Sequence, residues 1–154
     1  MRKRLSICIF FITVLIVCSS YYLYPRKGTL NDFLFSNYNK ENIEEIEIRS
    51  TSGGEDKTIK DKIEINDMLF NLSKIKLIQH YGSISNRTKI SYHIYIYDKN
   101  SISAEVIIQG KEYISIVNNI NNSNKEYKII ENTLDLDYIN RLISQWGISS
   151  VHIS

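Results

Sequence analysis

The feature that most constrains this chain is an uncharged stretch of twenty residues near the N-terminus, residues 5–24, LSICIFFITVLIVCSSYYLY. As a helix, about 20 apolar residues cross the roughly 30 Å of hydrocarbon in a bilayer, so this stretch predicts a transmembrane helix. Three tyrosines at its far end match the aromatic belt of a membrane interface, and Pro25 then stops the helix. The folded part of the protein must therefore lie beyond residue 25.

Positive charge sets the expected orientation of this segment. Arg2, Lys3 and Arg4 precede it together with the amino terminus, whereas Arg26 and Lys27 follow it. The more basic flank stays in the cytoplasm, so the N-terminus is expected inside. The sequence thus predicts a single-pass protein of the cell membrane, attached through residues 5–24, with its C-terminal domain outside the cytoplasm.

Two kinds of processing compete with a retained anchor. Val17-Cys18-Ser19 is a passable signal-peptidase site that follows an apolar stretch of signal-peptide length. The four residues that end at Cys18 also look like a lipobox, although Val17 stands where a small residue is expected. A retained anchor is the first interpretation. The alternatives are a lipoprotein modified at Cys18 and a cleaved signal.

The part of the chain after the span has the size and composition of one folded domain. About 125 residues remain, a typical length for a single core, and the chain is 43% apolar with one proline. Five of the nineteen basic residues flank the span, so fourteen remain against seventeen acidic residues, a formal charge of −3. Because phosphate contacts demand a basic face, we expect no nucleic-acid binding.

Cysteine and histidine placement argues against metal sites and cofactors. Cys8 and Cys18 both lie in the apolar stretch, so the domain has no disulfide and no thiolate metal site. His80, His93 and His152 have no other ligand residue at metal-binding spacing, and no nucleophile-elbow sequence is present. We expect no cofactor, no catalytic residues and no enzymatic activity.

The segment immediately after the span is predicted as a juxtamembrane linker. Thr29 and Asp32 resemble a capping box and predict a short helix there. Residues 37–42 are polar and predict a loop. We therefore expect the linker to cover residues 28–42, ahead of the domain proper.

A hairpin and a helix are predicted next. Period-two alternation at 46–49, the turn residues that follow it and the segment 57–60 favour a β-hairpin. Asp61 and Glu64 form a second capping-box pattern. An apolar stripe at helical spacing then predicts a helix near 62–75 and consists of Ile65, Met68, Leu69, Leu72 and Ile75.

The second half of the chain predicts an antiparallel meander closed by a helix. Strands are expected near 90–97, 102–108, 113–117 and 127–130, with a variable stretch at 77–86 and a polar loop at 118–124. The closing helix, near 134–146, is predicted from a last apolar stripe, made of Leu136, Ile139, Leu142, Ile143 and Trp146.

These patterns predict an α+β fold of the order ββα-ββββ-α. A mostly antiparallel sheet carries both helices on one face and is preceded by the N-terminal transmembrane helix. The expected domain limits are 1–27 for the anchor or signal segment, 28–42 for the linker, 43–147 for the extracytoplasmic domain and 148–154 for the C-terminal tail.

The predicted strand 90–97 separates two kinds of side chain. Its apolar face holds Ile90, Tyr92, Ile94 and Ile96, and its other face holds Ser91, His93, Tyr95 and Tyr97. The two helices can cover one face only, so we expect the second face to be more exposed. Amphipathic rings on a rigid sheet are good anchors, which makes His93, Tyr95 and Tyr97 the predicted site for a protein, peptide or glycan. Alternatively, these tyrosines only cover the solvent-facing side of the sheet and have no binding role.

The order of anchor, linker, ββα and Ile/Tyr-rich meander resembles small uncharacterised extracytoplasmic and lipoprotein domains of low-GC Gram-positive bacteria. The likeness covers most of residues 30–147 and implies a location, with no site residues to transfer. The expected function is non-enzymatic binding of an envelope partner. The alternative is a structural or immunity-type membrane protein that acts through its anchor. An unrecognised enzyme is the third hypothesis, and it requires a cleft with converging histidines or carboxylates.

Overall fold

Eight strands form one antiparallel sheet within the residues that this computed structural model describes, which are 2–51, 56–82, 91–99, 101–131, 134–135, 137–139 and 141. The strands are β1 (Lys27–Thr29), β2 (Ile43–Ser50), β3 (Lys57–Ile59), β4 (Lys76–His80), β5 (Ser91–Asp98), β6 (Ser101–Gln109), β7 (Tyr113–Asn118) and β8 (Ser123–Ile129). The helices are α1 (Arg2–Leu23), α2 (Leu30–Phe33) and α3 (Lys62–Ser73), and residues 137–139 and 141 are also helical.

The strands follow the order β1-β4-β8-β7-β6-β5-β2-β3, and every neighbouring pair is antiparallel. β5 to β8 form the predicted meander, and β2 with β3 forms the predicted hairpin. Since β3 lies at one edge and β4 beside the other, α3 must carry the chain across one face of the sheet. The predicted α+β class with a mostly antiparallel sheet is confirmed.

Helix α3 begins and packs as its sequence predicts. The Asp61 carboxylate accepts hydrogen bonds from the backbone N–H groups of Ile63 and Glu64, at 2.9 and 3.0 Å, and this satisfies two donors that the first turn cannot pair internally. The predicted apolar stripe is buried throughout, and it consists of Ile65, Met68, Leu69, Leu72 and Ile75.

One face of the sheet forms the core with α3. Strict alternation along β5 buries Tyr92, Ile94 and Ile96, which are 6%, 0% and 1% exposed, whereas Ile90 lies outside the described residues. The neighbouring strands add the other core side chains of the sheet, namely Ile46, Ile48, Ile59, Leu77, Ala104, Val106, Ile108, Ile114, Ile116, Tyr127 and Ile129. We call this the buried face.

The predicted strand order ββα-ββββ-α is wrong at two places, because β1 and β4 are additional strands. β1 is three residues long and has no large apolar side chain, and β4 overlaps the start of the stretch 77–86, which the sequence predicts to be variable. The predicted polar loop 118–124 is also wrong at its end, because β8 begins at Ser123. These segments carry little hydrophobic periodicity, and backbone pairing with neighbouring strands holds them in the sheet.

The segment 28–42 contains the short helix that the capping pattern predicts. The Thr29 hydroxyl accepts from Asp32 N at 3.3 Å, and the Asp32 carboxylate accepts from Thr29 N at 2.7 Å. The segment also contributes to the core, because Leu30, Leu34 and Phe35 are at most 1% exposed. Chain that the sequence predicts as a linker therefore packs with the sheet.

The helix predicted near 134–146 falls largely outside the described residues. Where the chain is described there, residues 137–139 and 141 are helical and Ile139 is 1% exposed. Leu134 and Tyr138 pack against the core. The remaining members of the predicted stripe, Leu136, Leu142, Ile143 and Trp146, lie outside the described residues.

Helix α1 differs from the other helices in the exposure of its apolar side chains. Its side chains are described at position 7 and over positions 9–19, and the large apolar ones among them are 42–68% exposed. Within the part of the chain that is described, no helix has both the length and the hydropathy that crossing a bilayer requires.

Candidate functional site on the open face of the sheet

The face of the sheet opposite the buried face carries polar and aromatic side chains. We call it the open face. Its central positions, given by the register of β2 and β5 to β8, are Glu45, Glu47, Arg49, Ser91, His93, Tyr95, Tyr97, Glu105, Ile107, Gln109, Tyr113, Ser115, Val117, Asn124, Glu126 and Lys128. His93, Tyr95 and Tyr97 are partly exposed, whereas the alternate residues of β5 are buried, so the predicted difference between the two faces is confirmed.

Tyr97 is tied to the neighbouring strand β2. Its hydroxyl donates a hydrogen bond to Glu47 Oε2 at 2.8 Å, and Arg49 donates to the other carboxylate oxygen of Glu47 at 2.7 Å. Both oxygens of Glu47 are thus engaged by side chains of the same face. The Tyr97 ring is consequently held in one orientation.

These contacts shift the protonation of the groups involved. The Arg49 hydrogen bond lowers the pKa of Glu47 below its ordinary value, with a smaller contribution from Tyr97 and against the effect of partial burial. The pKa of Tyr97 is raised, chiefly because its neutral hydroxyl donates to the Glu47 carboxylate. At neutral pH, Glu47 is therefore charged and Tyr97 keeps its proton.

A second set of contacts holds Tyr95 and His93. The Arg49 guanidinium lies over the Tyr95 ring, 5.1 Å from its centroid, and the His93 ring stacks against Tyr95 at 6.2 Å. His93 Nδ1 lies 2.7 Å from Glu105 Oε1 on β6. Burial raises the pKa of Tyr95, and the charge of Glu105 adds to the shift.

The structure brings the three residues predicted to bind a partner together in one connected network. His93, Tyr95 and Tyr97 lie on a single strand, and side chains of β2 and β6 fix all three. Sequence analysis missed Glu47, Arg49 and Glu105 as members of this site. The register of β5 against its two neighbours would have identified them, because these residues lie opposite Tyr95 or His93.

Beside this network the open face contains a cavity of about 410 Å³, near the lower end of the range of about 300–1,000 Å³ for small-molecule sites. We call it the polar cavity. It crosses four strands, and its lining comprises Thr51 after β2, then Ser91, His93, Ile107, Gln109, Ser115, Asn124 and Glu126. Ile107 is the one aliphatic residue among them, so hydroxyls, amides and a carboxylate dominate the lining.

Two acceptor atoms of the cavity-lining residues are buried without a hydrogen-bond partner. They are Gln109 Oε1 and Glu126 Oε2, and both atoms are inaccessible to solvent in the described structure. The other end of the Gln109 amide donates to Ser115 Oγ at 3.3 Å. A buried polar atom without a partner costs about 1–3 kcal/mol, so these two atoms lower the stability of this part of the sheet.

The described contacts of the His93 ring are with Glu105 and Tyr95. Nucleophilic catalysis needs a hydroxyl or thiol within hydrogen-bond reach of a base. Ser91 and Ser115 line the same cavity as His93, yet among the described residues neither hydroxyl bonds to the His93 ring. The Ser91 hydroxyl is instead 3.0 Å from Thr51 Oγ1. Among the described residues, no group of three or more histidines, cysteines or carboxylates is arranged to hold a metal ion.

Cys18, the residue predicted as a lipidation site, lies in α1 and not on the sheet. Its thiol is free and its side chain is exposed. Cys18 therefore bears on membrane attachment and is not a residue of the open face.

No protein-family model, curated protein or solved structure matches this chain.

Proposed function

We propose that this chain is an extracytoplasmic protein, held at the cell membrane through residues 5–24, which binds an envelope partner on its open face without catalysing a reaction. The observation that carries the binding role is the open face itself. It joins fixed aromatic side chains to a cavity lined by polar groups. Rigid aromatic anchors beside a polar cavity lose little conformational entropy on binding, which favours recognition.

Membrane attachment is supported by the sequence of the N-terminal segment and by the exposure of its side chains. Twenty uncharged residues follow a basic N-terminus. Nine large apolar side chains between positions 7 and 17 are 42–68% exposed, a surface that is unfavourable in water at about 25 cal/mol per Å². An apolar environment such as a bilayer removes this cost. Cleavage of the segment by a signal peptidase also removes it.

The binding role is tested with the full chain in detergent, immobilised and exposed to envelope extract from the producing cells. We expect Tyr95→Ala and Tyr97→Ala each to reduce the retained partner several-fold, while Tm stays within a few degrees of the wild type. Tyr81→Ala is the matched control, because Tyr81 is 57% exposed and lies beyond the end of β4. If all three variants retained the same amount of partner, the open face would not be the binding surface.

A structural or immunity-type protein that acts through its anchor is the second candidate, favoured by the exposed apolar side chains of α1. Replacing residues 2–24 with an unrelated membrane anchor separates the two functions. The binding function survives this replacement, because the sheet is unchanged. A function that resides in the anchor is lost, whereas Tyr95→Ala leaves it intact.

A further inference from the structure

The end of the sheet that the N-terminal segment joins also carries the turn between β7 and β8. Helix α1 ends at Leu23 and β1 begins at Lys27, so extended chain separates them by about 14 Å at most. β1 is antiparallel to β4, β4 to β8 and β8 to β7. The start of β1, the end of β4, the start of β8 and the end of β7 therefore lie at the same end of the sheet. We call it the anchor end.

Arg26 lies at the anchor end, because Gln79 of β4 donates its backbone N–H to Arg26 O at 2.8 Å. The predicted span ends at residue 24, two residues or about 7 Å of extended chain before Arg26. One headgroup layer of a bilayer is about 5–7 Å thick. With residues 5–24 in the bilayer, Arg26 is therefore at the level of the lipid phosphates.

A cavity of about 180 Å³ lies beside Arg26, and we call it the basic cavity. Its lining includes two exposed cations, Arg26 and Lys125, against one carboxylate, Asp32, which leaves a formal charge of +1. Asp32 Oδ2 already accepts two hydrogen bonds from Thr29, at 2.7 and 2.9 Å. Among the described residues, neither cation forms an ion pair. Both are therefore available to an anion.

An amide donor adds to the two cations of this lining. Asn121 is exposed, and its Oδ1 accepts from Ser123 Oγ at 2.6 Å, so its N–H groups are the end left to a ligand. Asn118 Oδ1 accepts from the backbone N–H groups of Ile120 and Asn121, at 3.0 and 3.3 Å, and this fixes the turn. Two cations and an amide donor match a ligand with negative charge and several acceptor oxygens, as a phosphate has.

Apolar side chains are exposed beside the basic cavity. Ile120 in the β7–β8 turn is 67% exposed and Ile102 is 39% exposed. Asn119 Nδ2 donates to Ile102 O at 3.0 Å, so the two isoleucines belong to adjoining chain segments. Apolar side chains next to basic groups are typical of surfaces that bind anionic membranes. Acidic residues at the same end, such as Glu44 and Asp98, lie on β2 and β5 and so are farther from the anchor.

We propose that the anchor end rests on the bilayer surface and that the basic cavity binds the phosphate of an anionic phospholipid. This inference rests on the proposed membrane attachment and specifies how the domain meets the membrane. Arg26 and Lys125 pair with the phosphate oxygens, Asn121 donates to them, and Ile120 enters the interface. A contact at this end leaves the open face accessible to an envelope partner.

The test uses the full chain in nanodiscs, in which phosphatidylglycerol progressively replaces phosphatidylcholine. We expect saturable NMR shifts at Asn121, Ser123 and Lys125. Arg26→Gln and Lys125→Gln should each weaken this response about fivefold, and because both side chains are exposed, Tm should stay that of the wild type. Lys111→Gln is the matched control, because it removes the same charge from an exposed turn at the opposite end of the sheet. It should respond as the wild type does.

Two further measurements separate the alternatives. A lipid spin-labelled on its acyl chain near the headgroup should broaden the amide signal of Ile120 and leave that of Gly110 unchanged. Inorganic phosphate, added to nanodiscs of phosphatidylcholine alone, should not reproduce the shifts. Shifts with inorganic phosphate but not with phosphatidylglycerol would assign the cavity to a soluble anion and overturn the proposal.

The proposal also fails if no probe shifts these signals, if Ile120 is not broadened, or if Lys111→Gln weakens the response as much as Lys125→Gln. A chain that stays in the membrane fraction of cells and yet gives one of these results overturns the lipid contact alone. A chain released from that fraction overturns the attachment on which the contact rests, so the two failures are distinguishable.

Discussion

Tyr97 on β5 donates its phenolic hydrogen to Glu47 on β2, with 2.8 Å between the two oxygens. This bond joins two neighbouring strands on the open face. Because Arg49 holds the other carboxylate oxygen, Glu47 connects a cation and an aromatic ring in fixed geometry. The same connection makes the stability of the open face depend on the ionisation of one carboxylate.

We predict that Glu47→Gln reduces the loss of stability on acidification. The pKa of Glu47 is lowered in the folded protein, first by Arg49 and then by Tyr97. Because this pKa is lower in the folded protein, the stability that the Glu47 carboxylate contributes is present in full above the ordinary pKa of 4.5. It declines as the pH falls below that value. The contribution is gone once the pH falls below the folded value. Tm measured from pH 7 to pH 2 should fall less steeply in the variant.

Glu112→Gln is the control for that measurement, because Glu112 is exposed in a turn. Its Tm profile should follow the wild type. Profiles of Glu47→Gln and wild type that run parallel over the whole range would contradict the assigned role of Glu47.

A second prediction concerns the buried stripe of α3. Leu72 is 3% exposed, so Leu72→Ala should lower the free energy of unfolding by roughly 2–5 kcal/mol through lost burial and a residual cavity. Ile63 lies on the same helix and is 73% exposed. Ile63→Ala should therefore stay within about 0.5 kcal/mol of the wild type. Urea denaturation of both variants provides the comparison, and similar losses would mean that the helix faces are misassigned.

Alternation and helical spacing were enough to predict the centre of the fold. The face of β5 that holds Ile94 is buried and the face that holds Tyr95 is not, because period two places them on opposite sides of the sheet. The stripe of α3 is likewise buried as its spacing predicts. The alternation and the helical spacing both come from apolar side chains that are buried on folding. Their positions in the sequence therefore show which face of the strand or helix lies in the core.

The edge of the sheet was not predictable in the same way. Lys27, Gly28 and Thr29 form β1 through backbone pairing with β4, and such pairing leaves no periodic trace in the side chains. The polar cavity was missed for a related reason. Gln109 and Glu126 are seventeen positions apart and line the same cavity because β7 pairs with both of their strands, so their placement depends on a register that a single sequence does not reveal.

A third prediction tests the start of α3. Asp61→Ala removes the acceptor of two backbone N–H groups and should cost about 0.5–2 kcal/mol of stability. Asp61→Ser retains a capping oxygen and should recover most of this loss. Chemical denaturation measures both variants. The capping role would be refuted by Asp61→Ser being as unstable as Asp61→Ala.

A fourth prediction concerns the boundary of the folded domain. Leu30, Leu34 and Phe35 are at most 1% exposed, and burial of each such side chain contributes roughly 1.5–3 kcal/mol. Their combined loss approaches the whole stability of a typical domain, about 5–15 kcal/mol. A chain that begins at residue 26 should therefore unfold cooperatively, whereas one that begins at residue 43 should not. Calorimetry decides between them, and two similar transitions would place these side chains outside the core.

The last prediction concerns membrane attachment, for which a retained anchor, a lipoprotein and a cleaved signal make different products. Alkaline phosphatase fused after residue 30 should be active, because that enzyme folds only outside the cytoplasm and the basic flank is expected to stay inside.

We expect the natural chain and Cys18→Ser both to remain in the membrane fraction at the full mass of 18.0 kDa. The reason is that Val17 departs from the small residue a lipobox requires, and residues 5–24 form an uncharged stretch of twenty residues, the length expected of a span. Intact-mass measurement of the membrane fraction and the extracellular fraction checks this. A lighter acylated product that disappears in Cys18→Ser would establish the lipoprotein instead, and a lighter product free in the extracellular fraction would establish a cleaved signal.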